Sequence, residues 1–84
     1  MAKAYRLFAH GYKMIVSQEL SGKWMGFFGI EGDRRGWEAV TNPGGLEETK
    51  LAVCRQVEAL AITRGQTVVD ACAESLSAWT EVSD

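Results

Sequence analysis

Three residues in this 84-residue chain are of types best suited to nucleophilic or metal chemistry: the one histidine, His10, and the two cysteines, Cys54 and Cys72. A triad needs a serine or cysteine placed against a histidine and an orienting carboxylate, and no segment couples His10 to such partners. The cysteines stand 18 residues apart with no CxxC, so neither a four-ligand zinc site nor a redox dithiol is encoded. Both are expected to act as small packing residues. The glycines do no better. Gly22, Gly26, Gly29 and Gly32 fall in strands or their turns, whereas a phosphate loop needs a glycine run leading into a helix. Gly44-Gly45 has that position but lacks the lysine and the G-x-G-x-x-G spacing. No catalytic, cofactor or metal residue is assigned, and the chain is not expected to be an enzyme.

What remains is surface chemistry. In KWMGFFGI, residues 23 to 30, strand alternation puts Trp24, Phe28 and Ile30 on one face and Met25 and Phe27 on the other. Large apolar groups therefore stand on both faces, and one helix covers only one. The candidate partner or nucleic-acid surface is Trp24 and Phe28 with the cations Lys13, Lys23, Arg34 and Arg35 around them, since aromatic rings framed by basic groups stack bases and hold phosphates. Lys23, Gly26 and Phe27 echo the RNP1 pattern of RNA-recognition motifs, a fold that places a helix where residues 20–23 leave no room for one. A second candidate is a helix-to-helix seam of Leu51, Ile62, Val69 and Leu76.

Charge and size limit the choice. The net charge is −2; residues 1–45 hold six Lys/Arg against four Asp/Glu, and residues 46–84 three against seven. A polyanion partner needs clustered cations, so this balance disfavours nucleic acid as the main ligand of the chain. With 46% apolar and 24% charged residues the chain reads as one globular domain over 1–84. No apolar run suits a signal segment or a membrane span, so a cytoplasmic location with reduced thiols is expected.

The elements that must carry these residues follow from periodicity and breakers. YKMIVSQE, about 12–19, alternates as a strand; a glycine turn at 20–23 leads to a second strand, about 24–30; a charged loop leads to a third, about 37–41. Residues 1–10 are a lead-in, left open between an extension of the first strand and a docked tail. Asn42-Pro43-Gly44-Gly45 ends the sheet. Beyond it Leu46, Val53, Cys54, Val57, Leu60 and Ala61 lie on one helical stripe, which predicts a helix over about 46–64 with Glu47 and Glu48 in its first turn. Arg64-Gly65 reads as its end and Thr67 to Asp70 as the capping box of a second helix, about 68–79. The rival is one unbroken helix, because Val68, Cys72 and Trp79 stay in phase. The fold class is α+β: a three-stranded antiparallel meander with one long or two consecutive helices packed on it.

In this order the chain resembles a group of small uncharacterised bacterial βββα domains, through Gly11-Tyr12, Trp24, and Ala61 by way of Gly65 to Asp70, over about residues 5–72. It is similar, more distantly, to HicB-type antitoxins and double-stranded-RNA-binding-like domains. It departs from both: the proline turn after the second strand is missing, and Glu47-Glu48 stand where RNA binders carry lysines. The resemblance implies the fold and no activity. The expectation is a cytoplasmic protein-interaction or regulatory module, with a second copy or another protein as partner; a nucleic-acid-binding module and a HicB-like antitoxin component are the alternatives.

Overall fold

The structure, a computed structural model, describes residues 3–34, 36–40, 44–66 and 79–82. The described elements are β1 (Ala4–Ala9), β2 (Tyr12–Gln18), β3 (Trp24–Ile30), β4 (Glu38–Val40), α1 (Leu46–Thr63) and β5 (Thr80–Glu81). The strands form one antiparallel sheet in the order β4-β3-β2-β1-β5, and α1 packs across β2, β3 and β4 on one face. An antiparallel meander followed by a helix is the α+β arrangement that the patterning implies.

The sheet is wider than expected. The lead-in is a strand of its own: β1 pairs with β2 along its whole length, from Ala4 opposite Ser17 to Ala9 opposite Tyr12. His10 and Gly11 alone join them, with φ of 54° and 81°; two positive values suit a type I′ turn, whose twist matches that of the flanking strands. The β2–β3 loop closes on Glu19 and Lys23, whose N–H and C=O pair at 2.8 Å, and Gly22, at φ 90°, supplies the left-handed residue. β5 has no counterpart in the sequence expectations. It pairs with β1, Tyr5 opposite Glu81 and Arg6 opposite Thr80, and so forms an edge.

Boundaries move by a residue. Glu19 belongs to the loop, Trp37 stands ahead of β4, and Arg64 is the cap of α1 rather than its last residue. The unbroken helix is excluded at Gly65. Its φ is 73°, its N–H donates to Ile62 C=O at 3.0 Å, and Gln66 N–H donates to Ala61 C=O at 2.9 Å, the two bonds of a Schellman end. The second helix expected over about 68–79 lies outside the described residues except for Trp79, which precedes β5 and is not helical.

The core lies between α1 and the helix-side face of the sheet. Tyr12, Met14 and Val16 of β2 and Phe28 of β3 meet Val53, Cys54, Val57 and Ala61 of α1. The helix comes close because β3 has no side chain at Gly26: a Cβ built there would overlap Val53 Cγ2 and lie 3.4 Å from Thr49 Cγ2. At its N-terminus Gly45 N–H donates to the Glu48 carboxylate at 3.1 Å, and Thr49 Oγ1 donates to Gly45 C=O at 2.8 Å. Lys50 ties the helix towards the β1–β5 side. It is buried, its Nζ 4.8 Å from the Tyr5 ring centroid, 5.9 Å from that of Trp79 and 3.5 Å from Glu47 Oε1.

Candidate functional site

The register fixes what each face of the sheet carries. On the face turned away from α1, one cross-strand row reads Arg6, Ile15, Phe27, Ala39, and the next reads Phe8, Lys13, Gly29. A third, towards the other end, holds Ala4, Ser17 and Met25. Trp37, just ahead of β4, closes the second row: it lines an open hollow of about 460 Å³ with Ile15 and Phe27. Phe8 and Trp37 are 52% and 45% exposed, far more than a core aromatic.

Two cations are laid on this apolar floor. The Arg6 guanidinium sits 5.6 Å from the Phe8 ring centroid, and Lys13 Nζ sits 4.7 Å from that of Trp37. Lys13 also donates to the Asp33 backbone carbonyl at 2.9 Å. Its path runs over Gly29, where an added Cβ would stand 2.9 Å from Lys13 Cε and 2.7 Å from the Gly36 carbonyl. Glycine at 29 is thus the reason a lysine on β2 reaches a tryptophan at the opposite edge. Each cation is held by a ring and a row of the sheet, so its charge is already positioned.

Trp37 is also a wall of a cleft of about 190 Å³ on its other side, shared with Phe28, Ile30, Asp33, Glu38 and Leu60. Among the described residues Asp33 and Glu38 line that cleft, and no histidine, cysteine, serine or threonine does. No group of three His, Cys, Asp or Glu able to hold a metal ion occurs among the described residues. Cys54 is buried in the core, and His10 is exposed at the β1–β2 turn. No helix among the described residues is long and apolar enough to cross a membrane.

The surface expected from sequence is divided by the sheet. Phe28 is a correction: it is 5% exposed, because its position opposite Met14 turns it to α1. Trp24, opposite Gln18, is on that same side, half-buried with its ring tilted over Tyr5 at 6.2 Å. Lys13 lies on the opposite face, so it does not share a surface with either ring. Lys23 and Arg34 are exposed in separate loops, and Arg35 lies outside the described residues. Of the helix seam, Leu51 and Ile62 are 39% and 72% exposed on α1; Val69 and Leu76 lie outside the described residues.

Arg6, Phe8 and Trp37 were not singled out from sequence. The signal for the first two was the alternation Tyr5, Leu7, Ala9 against Arg6, Phe8, legible once residues 4–9 are taken as a strand. No family model, curated protein or solved structure matches the chain, so the geometry of its own surface is what bears on its role.

Proposed function

We propose that the chain is a non-catalytic, cytoplasmic protein-interaction module and that the sheet face turned away from α1 is its contact surface. One observation carries this reading: Ile15, Phe27, Trp37 and Phe8 occupy adjacent positions on a face that α1 does not reach, two of them about half exposed. Contiguous apolar side chains on a small domain mark contact sites, whereas single exposed ones do not. The aromatic and arginine content suits the centre of an interface. A nucleic-acid role of the kind drawn from Trp24 and Phe28 has less support, since those rings pack towards the helix.

The test is site-specific photo-crosslinking with a benzophenone amino acid placed in turn at Phe8, at Leu20, which is 96% exposed in the β2–β3 loop, and at Ile62 on α1. The expected result is a defined protein adduct from position 8 and none from positions 20 and 62, with the adduct lost when Phe27→Ser is added. Equal labelling from all three positions, or labelling from position 62 alone, overturns the reading.

A further inference from the structure

We infer that this face receives a polypeptide segment whose apolar side chains are flanked by carboxylates; the inference rests on the contact-surface reading above and names the class of partner. The chain as a whole is acidic, with a net charge of −2. Yet none of the eleven strand positions on this face (4, 6, 8, 13, 15, 17, 25, 27, 29, 39 and 80) is acidic, and two of them are Arg6 and Lys13. Asp33 stands at the rim, in the β3–β4 loop. The two cations are diagonal neighbours: Arg6 pairs with Ile15, two residues along β2 from Lys13. Their Cβ atoms stand about 7–8 Å apart or less, and their heads diverge: the guanidinium stays by Phe8 on β1, while the ammonium crosses Gly29 to Trp37. A carboxylate beside either head meets a charge that its ring already holds in place, at little further ordering cost.

Three occupants compete for the face, and charge separates them. A second copy bound face to face is isologous, so the same face meets Arg6 and Lys13, and its strand positions bring no carboxylate to either. A nucleic acid supplies one phosphate per nucleotide to a face with two cations on an acidic protein, too few to hold a polyanion. A segment with one carboxylate for each cation and an apolar side chain for the hollow formed by Ile15, Phe27 and Trp37 matches both features.

The experiment is fluorescence anisotropy of the full chain with three labelled probes: a 12-residue peptide of Leu, Phe, Ser and Glu, the same peptide with Lys for every Glu, and oligothymidylate. The acidic peptide is expected to bind at least tenfold tighter than the basic one. Arg6→Glu, and separately Arg6→Glu with Lys13→Glu, should reverse that preference; the single variant serves if the double one does not melt like the parent. Equal binding of both peptides, tighter binding of oligothymidylate, or no binding of any probe overturns the partner class. Sedimentation showing a dimer that Phe27→Ser dissociates also overturns it, in favour of a second copy. In each of these cases crosslinking from position 8 that Phe27→Ser abolishes leaves the contact-surface reading standing, so the two failures are distinguishable.

Discussion

Gly26 is the residue on which the two layers meet. Its Cα hydrogen faces Val53 and Thr49, and a methyl group there has no space unless α1 lifts from β3. Overpacking of this kind costs about 1–3 kcal/mol, so Gly26→Ala should lower the urea midpoint with little change in the slope of the transition. Tyr12 is a different case. It is fully buried, yet its hydroxyl donates to Gln66 Oε1 and accepts from Arg64 at 3.2 Å, which ties the residues after α1 to the first residue of β2. Tyr12→Phe keeps the ring in the core and removes both bonds. A loss of about 1–2 kcal/mol is expected in chemical unfolding, with Gln66 and Arg64 freed to solvent rather than left buried. An unchanged midpoint would show that these contacts contribute nothing to stability.

At the scale of elements, the helix end and the first hairpin show what local chemistry decides. Gly65 holds the left-handed position that lets Gln66 and Gly65 cap the carbonyls of Ala61 and Ile62. Gly65→Ala should cost about 1 kcal/mol, read as a fall in melting temperature, because a Cβ in that conformation is strained while the helix before it is unchanged. This boundary was half legible, because Gly65 reads as a helix end while Val68, Cys72 and Trp79 in phase left an unbroken helix open; β2, β3 and the start of α1 were legible, since each is set by a strong period interrupted by glycine or proline. β1 was not separable from β2 by the same means. Its turn is His10-Gly11, and histidine at a positive φ sits where asparagine or glycine is the usual signal. β5 is two residues long and exists through its pairing with β1, a contact no local pattern announces. The site was half legible. That Met25 and Phe27 oppose Trp24 and Phe28 follows from alternation alone; which of the two faces α1 takes is a tertiary choice, made where Gly26 admits Val53.

For the whole molecule the consequence is a two-layer fold with one layer covered by α1 from one side. An 84-residue domain buries a smaller share of its surface than a larger one, and among the described residues the buried share is concentrated between α1 and a single face. Phe27 and Phe28 test this directly, because they are consecutive on β3 and differ in the face they take. Phe28→Ala empties a core position and should cost about 3–5 kcal/mol, enough to unfold much of a small domain. Phe27→Thr places a strand-favouring residue opposite Ile15 and Ala39, on the side α1 does not contact, and should cost under about 1 kcal/mol. The comparison is made by urea unfolding at two protein concentrations tenfold apart. If Phe27→Thr proves as costly as Phe28→Ala and the parent midpoint rises with concentration, the face is sealed by a second copy in solution. If it is as costly at both concentrations with no such rise, the chain itself seals the face, and the docking role proposed for it fails.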